Sequence, residues 1–416
     1  MTQILPVAGR TPYTTVTACR ICGGSWLETV LDLGLHALAS FSQSFPQEGP
    51  GHWQYAPLEL VRCGSCGLVQ LRHTVDRDTL FHRYWYRSGT SETMRAALAD
   101  VAAAVKRRVS LEPNDIVLDI GANDGTLLSY FTSQRVGFEP SSITPEHGES
   151  IVRNYFTEAA WQDVMGEQKA RVVLSIAMLY SVEKPVEFVA DVAQVLAKDG
   201  LWLCQMNDLR SMVDGLAYDM IGHEHVAIYS LTTFERLLEP VGLQVFDLEW
   251  LPLNGGTLRF YVQHQGGPWQ VDPSRHGKDQ REKELSLALE LEDFDQRVRE
   301  SIADLRRRLT NLAKAGKRIH IKGASTRGST IIQAAALDVP TIMEAADRDP
   351  AKDGFLFPGT SIPIVSEQRS RSDAPDYYLV LPYSYIDQFR KREKAFLLRG
   401  GQFILPVPKF RLVGAG

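Results

Sequence analysis

No apolar run in this chain approaches the ~20 residues needed to cross a bilayer. The first 18 residues lack the apolar core of a secretory signal, so a soluble cytoplasmic protein is expected. Positive charge is not in excess: the formal net charge is −5, and no basic-aromatic face clusters along the chain. Nucleic acid is therefore disfavoured as a partner, because phosphate binding needs clustered Lys and Arg. Cysteine is scarce, with five in 416 residues, which argues against a disulfide scaffold. The first apolar strand is not followed by G-x-G-x-x-G, so a nicotinamide fingerprint is missing. What remains is 44% hydrophobic and 23% charged, an ordinary globular mix, in a chain long enough for two or three domains.

Four of the five cysteines form a pattern. Cys19-Arg-Ile-Cys22 and Cys63-Gly-Ser-Cys66 are each a C-x-x-C pair followed by glycine. Two such knuckles suit tetrahedral zinc, since glycine lets the backbone approach the thiolates. A redox C-x-x-C accounts for one pair but not for two. Four thiolates close the metal shell, so the ion is expected to be structural. The long interval between the pairs holds Pro, Gly and Gln and reads as an elaborated loop. Cys204 lies in an apolar strand-like run and reads as a core residue.

The rest alternates strands and helices. Residues 116–120 read as a buried parallel strand and 126–131 as a helix, with Gly121 and Gly125 bracketing the turn between them. Residues 135–139 form a second short strand ending in Glu139, placed to accept bonds from ribose hydroxyls. Further strands are expected at 171–178, 201–206, 245–250 and 257–264, the last two joined by a hairpin at Asn254-Gly255-Gly256. Thr232 to Glu235 has a capping-box pattern. Residues 266–278 are polar and form a linker, and 281–312 form one long helix with an apolar side. A third unit begins with a strand running through Gly323 and Gly328 into a helix, whose start suits an anion such as phosphate. Strands near 342–346, 362–365, 376–382 and 402–407 complete a small parallel α/β fold. The expected domains are therefore 1–80, 81–265, 266–315 as linker and connector helix, and 316–416.

Two segments are built for more than packing. Residues 217–230 set Glu224 between His223 and His225, with Tyr218 and Tyr229 close by. If that segment is extended, the two imidazoles face one side and the carboxylate the other. Residues 80–94 are dense in aromatics and hydroxyls, and read either as a packing strip or as a loop covering a ligand.

The turn Asp119-x-Gly121-x-Asn123-x-Gly125 resembles the S-adenosylmethionine loop of class I methyltransferases. The whole chain resembles the sugar C-methyltransferase family of deoxysugar biosynthesis. The resemblance rests on Cys19, Cys22, Cys63 and Cys66, on residues 117–125, on Glu224-His225 through Tyr229-Ser230, on Asn254-Gly255-Gly256, and on residues 323–328 with Pro358-Gly359-Thr360. It implies an α/β fold with a small N-terminal zinc-binding domain, a central class I methyltransferase domain and a C-terminal Rossmann-like domain. Asp119, Gly121, Asn123 and Gly125 then line the methionine side of the donor and Glu139 its ribose, with Ser175, Tyr86 and Ser88 as further cofactor contacts. His225 is the expected base, with Glu224 and His223 as catalytic partners. Tyr229, Gly323, Ser325, Thr326, Arg327, Gly328 and Asp347 are the candidates for holding a nucleotide-linked 4-keto-deoxysugar, in a monomer or homodimer. Two departures stand out: the family has a tyrosine where this chain has Gly222, and an asparagine near the place of Ser175. Methylation of oxygen or nitrogen on another small metabolite is the alternative chemistry, and a non-catalytic zinc-containing ligand-binding protein the alternative class.

Overall fold

The computed structural model describes residues 13–39, 53–81, 86–146, 150–271 and 276–415. Residues 82–85 of the aromatic stretch lie outside the described residues. Among those described, three larger sheets organise the chain.

The first sheet is antiparallel, in the order Ala227–Ile228, Val69–Leu71, Tyr55–Cys63, Leu27–Ala37. The interval between the cysteine pairs is therefore not simply a loop. The strand Tyr55–Cys63 alternates partly and fully buried positions, which is the period of a half-buried strand and supports pairing. One strand of this sheet comes from far away in sequence. Ala227 pairs with Gln70 and Ile228 with Val69, which ties the segment after His225 to the cysteine-bearing part.

The central sheet runs in the order Leu243–Leu251, Thr257–His264, Leu196–Asn207, Ala170–Ile176, Ile116–Ile120, Gln134–Phe138, Ile151–Val152. Only Thr257–His264 runs antiparallel to its neighbours. All five residues of Ile116–Ile120 are buried, as an apolar run covered on both faces should be. Successive side chains feed opposite layers: Ile116, Leu118, Val173 and Trp202 on one face, Val117, Val172, Leu174 and Leu203 on the other. Cys204 is fully buried in the first of these layers.

The third sheet orders Ile364–Ser366, Glu344–Asp347, Ile319–Lys322, Tyr377–Val380, Gln402–Leu405 and Arg411–Val413, with only the last strand antiparallel. In both parallel sheets the first strand (Ile116–Ile120 or Ile319–Lys322) sits where the strand order reverses, the place where open α/β sheets bind ligands.

Three local expectations need correction. The segment 126–131 contains a short 3-10 turn at Leu128–Tyr130 instead of an α-helix. The connector divides into His276–Glu284, Leu287–Glu292 and Phe294–Lys314. Ser286 (ψ −8°) and Asp293 (ψ 0°) shift the helical phase, which leaves Leu285 and Leu289 exposed while Val298, Leu305 and Leu309 are buried. The capping box also moves. Ser230 is the N-cap of Leu231–Leu238 and Thr233 its reciprocal partner, while Glu284 accepts bonds from Leu231 N (2.7 Å) and Thr232 N (3.0 Å). Glu235 lies two residues past the capping position and pairs with Arg281.

One hydrophobic cluster joins Leu60 and Val69 of the first sheet, Met220 and Ile221 of the histidine segment, and Ile321 and Ile331 of the third unit. The three parts share a core at this point. No described helix is long and apolar enough to cross a membrane.

Candidate active site

A cavity of about 1510 Å³ opens across the C-terminal ends of both parallel sheets. Pockets for a single drug-sized ligand run to roughly 1,000 Å³, so this one has room for two.

One end is built by the turn after Ile116–Ile120. Gly121 (φ +77°), Asn123 (φ +53°) and Gly125 (φ +80°) all take the left-handed conformation that glycine adopts without steric cost. Glu139 accepts from Asn123 N through Oε2 (2.9 Å) and from Ser141 N through Oε1 (2.9 Å). Asn123 in turn donates to the carbonyl of Tyr86 (2.9 Å) and accepts from Ser88 N (2.9 Å), holding residues 86–88 over the turn. Asp119 is buried, makes no hydrogen bond to the described residues, and has its carboxyl pushed up to about 8, first by burial and then by the Glu139 charge. A buried acid of this kind favours a cationic ligand, which fits the sulfonium and ammonium groups of S-adenosylmethionine. Asp119, Gly121, Asn123, Glu139, Tyr86 and Ser88 all line the cavity.

Gly125 and Ser175 are not in that lining. Gly125 closes the turn behind it, its N–H donating to Ala122 O. Ser175 is fully buried and accepts from Trp202 Nε1 at 2.6 Å inside the sheet layer. The strand runs on past Ser175, so Ile176, Ala177 and Met178 reach the cavity in its place.

The middle of the cavity carries the histidine segment, and here the extended reading is overturned. His225 N donates to Gly222 O (2.9 Å), closing a tight turn. The turn puts Glu224 and His225 together on the cavity wall and turns His223 away. His223 Nε2 lies 3.1 Å from Ala56 O, buried against the first sheet, and burial pushes its ring down to about 4. His225 Nδ1 is 2.7 Å from Met220 O. A carbonyl only accepts, so Nδ1 carries the hydrogen and Nε2 keeps its lone pair. Burial holds this ring below the ordinary histidine range, and the Glu224 charge pulls the other way. Tyr229 is also outside the cavity, packed beside Phe234 in the core below the central sheet.

The other end belongs to the third unit. Gly323 (φ +88°), Ser325, Thr326, Arg327 and Asp347 contribute to the wall. Gly328 does not, because its α-carbon packs against Leu381 with no room for a side chain. Ser325 caps Thr326–Ala334 by accepting from Gly328 N (3.1 Å). Asp347 accepts from Ala324 N (2.7 Å) and pairs with Lys352 (3.3 Å).

Asp219, Tyr180 and Tyr383 of the wall, and the contacts Arg327 makes there, escaped the sequence reading. Arg327 pairs with Asp219, whose other oxygen accepts from Tyr383 Oη (2.7 Å), and Arg327 also donates to Asn254 O (2.6 Å). This bridge fastens the third unit to the turn Tyr218–Met220, which supplies the carbonyl that orients His225. Tyr180 packs on His225 with ring centroids 4.2 Å apart. No local pattern marks these contacts, since Arg327 and Asp219 lie 108 residues apart.

Away from the cavity, the sulfurs of Cys19, Cys22, Cys63 and Cys66 all lie within 4.8 Å of one another, with Cys19–Cys66 at 3.4 Å and Cys22–Cys63 at 3.6 Å. Tetrahedral zinc with ordinary Zn–S bonds separates its sulfurs by roughly 3.8 Å, so the donor set fits that ion. Gly23 N donates to Cys19 O and Gly67 N to Cys63 O, each closing a knuckle. Arg20, inside the first knuckle, donates to Leu71 O (2.8 Å) and so reaches the strand that pairs with residues 227–228. A second group, His320, Glu344 and Asp373, is compensated internally: Arg369 pairs with Glu344, and Ser370 hydrogen-bonds His320.

Comparison with known proteins agrees with this arrangement. Residues 19–81 match the model of a zinc binding domain, 87–248 that of a methyltransferase domain, and 252–408 that of a C-methyltransferase C-terminal domain. The C-methyltransferase NovU of Streptomyces niveus is 28% identical over 414 residues, spanning 96% of this chain and 97% of that protein. Among solved structures, a methyltransferase from Haloferax volcanii, in complex with its Trm112 activator, covers 42% of this chain and 94% of its own at 15% identity (TM-score 0.34). A 1,6-didemethyltoxoflavin-N1-methyltransferase of Burkholderia thailandensis covers 42% and 80% at 16% identity (TM-score 0.33).

The glycine turn, the acids beside it and the matched domain define an S-adenosylmethionine-dependent methyltransferase of class I fold that carries a four-cysteine zinc site. Along the chain a zinc-binding part, a methyltransferase domain and a C-methyltransferase C-terminal domain are matched in succession, the same span over which the chain is similar to a C-methyltransferase.

Proposed function

We propose that the acceptor is a nucleotide-linked keto-deoxysugar, methylated on the carbon α to its ketone, and that His225 is the base that prepares this carbon. In this reading residues 1–80 carry zinc, 81–265 the donor and 316–416 the nucleotide. The observation behind it is a two-ligand cavity with the basic nitrogen of His225 between a turn suited to the donor and a second glycine turn suited to phosphate. Bound S-adenosylmethionine supplies an electrophilic methyl group on a positively charged sulfur.

The chain's own residues do the rest. Burial keeps His225 neutral at pH 7, so Nε2 is available to take a proton. Met220 O fixes the ring, and Glu224 orients the sugar from the same wall. Ser325, Thr326 and Arg327 meet the phosphates at the start of Thr326–Ala334, where helix amides and positive charge favour an anion. A pathway building modified sugars for an antibiotic or other secondary metabolite is the expected setting.

The test is a panel of nucleotide-linked keto-sugars offered with methyl-labelled S-adenosylmethionine. Label on a sugar carbon, with solvent deuterium entering the same position when the donor is left out, is the expected result. Label on oxygen or nitrogen, or no label from any keto-sugar, refutes the reading.

A further inference from the structure

When a proton is taken from carbon beside a ketone, negative charge develops on the ketone oxygen, and that oxygen needs a donor. The turn holding His225 does not offer one. Gly222 has no side chain, and a Cβ there meets Glu224 Oε2 at 3.1 Å. His223, the other polar group of the turn, faces the first sheet. The donor must come from another element.

Among the described residues, five tyrosines line the cavity: Tyr86, Tyr155, Tyr180, Tyr383 and Tyr385. Three have committed hydroxyls: Tyr155 to Asp78 (2.9 Å), Tyr383 to Asp219 (2.7 Å) and Tyr385 to Asn254 (2.8 Å). Tyr86 belongs to the segment held over the donor turn by Asn123. Tyr180 differs. It comes just after the central strand Ala170–Ile176, its ring lies against that of His225, and its hydroxyl makes no hydrogen bond to the described residues. Among the described residues it is the cavity phenol beside the base whose donor is still available.

We propose that Tyr180 is a catalytic residue, its hydroxyl donating to the acceptor's carbonyl oxygen as charge develops there. This rests on the reading of His225 as the base. The step balances within the site. The C–H proton passes to His225 Nε2, the C–H electron pair becomes the new C=C bond, and the carbonyl π pair moves to oxygen, where the Tyr180 hydrogen bond tightens. Tyr180 keeps its proton throughout. The carbon then forms its bond to the methyl group, the S–C bond breaks with its pair left on sulfur, the C=O bond returns, and His225 gives its proton to water. Burial, and next the nearby Glu224 charge, push the phenol above the ordinary tyrosine range, which keeps it a donor at working pH.

The experiment compares Tyr180→Phe and His225→Ala with the wild-type chain in two assays. One is exchange of the acceptor's α-proton with deuterium in the absence of S-adenosylmethionine, and the other is methyl transfer with it. Tyr180→Phe is expected to lower both rates by about 10²–10³, the usual cost of one oxyanion donor. Donor affinity by calorimetry, acceptor KM and the melting temperature should stay near wild type. Fluorinated tyrosine placed at position 180 should change the exchange rate with the acidity of the phenol. Wild-type exchange by Tyr180→Phe, with none by His225→Ala, overturns the Tyr180 assignment and leaves the base standing. Absence of exchange in the wild-type chain, with label found on oxygen or nitrogen, overturns both.

Discussion

The two glycine turns of this molecule make an instructive pair. Each comes after the first strand of a parallel sheet, each sits where the strand order reverses, and both open into one cavity. They differ in the element that succeeds the turn and in which ionisable side chain is left unpaired. After Gly125 comes only the 3-10 turn Leu128–Tyr130, whereas after Gly323 comes the capped helix Thr326–Ala334. At the first turn Asp119 is buried without a hydrogen-bond partner among the described residues. At the second the acids are already engaged: Asp347 by Ala324 N and Lys352, Asp349 by Ala351 N, Glu367 by Arg371 and Arg392. Arg348, in contrast, lines the cavity with no ion-pair partner among the described residues. In the proposed reading, one local motif has thus become a site for a cation at one end and a site for an anion at the other. The flanking side chains decide which, not the glycines.

If the two ends are separable, damage between them should spare binding at both. His225→Ala is expected to lower carbon methylation by about 10²–10⁴, the range for a lost general base. Calorimetric affinity for S-adenosylmethionine and for the nucleotide portion of the acceptor should be unchanged. In the wild-type chain, kcat should fall as pH drops through a pKa below the ordinary histidine value, because burial lowers it and only the unprotonated ring acts. A rate that rises with acid contradicts this.

Damage confined to one end should be felt only there. Glu139→Ala removes an acceptor of two backbone amides as well as the proposed ribose contact, so donor affinity should weaken by about 10–100-fold. Acceptor affinity should not move. A smaller effect comes from Asp119. With its carboxyl pushed up to about 8, it is mostly protonated at pH 7 in the free protein. A bound sulfonium favours the carboxylate, so binding releases a proton below about pH 8. Donor affinity should therefore rise with pH up to that point, by about tenfold per unit at most. Calorimetry in buffers of different ionisation enthalpy reads the released proton directly, and a Kd flat from pH 6.5 to 8.5 refutes it.

These contrasts are only partly legible in the sequence. The cysteine pairs, the buried run Ile116–Ile120 and the glycine turns are local patterns, and local patterns survive folding. His223 is misplaced by alternation, which holds only for extended chain, whereas Gly222 to His225 is a turn. Ser175 is misplaced because it stops one residue short of the strand's end, and Ile176, Ala177 and Met178 line the cavity in its place. Tyr180 and the Asp219–Arg327 bridge carry no signal, because their partners come from distant segments brought together by sheet order and a shared core. Partner assignments need the fold even where the elements themselves can be read without it.

The finest test of the comparison is the unpaired charge at the second turn. Arg348 is exposed, so its pull on a phosphate is screened by water and salt. Arg348→Ala should raise the acceptor KM by about twofold to fivefold at low ionic strength and leave kcat and donor affinity alone. The difference should vanish near ~0.5 M salt, where the screening length falls to a few ångströms. A KM change that persists in high salt would mean that Arg348 shapes the loop instead of attracting charge. A shift in donor affinity would mean that the two ends are coupled, with the Asp219–Arg327 bridge as the connection to examine.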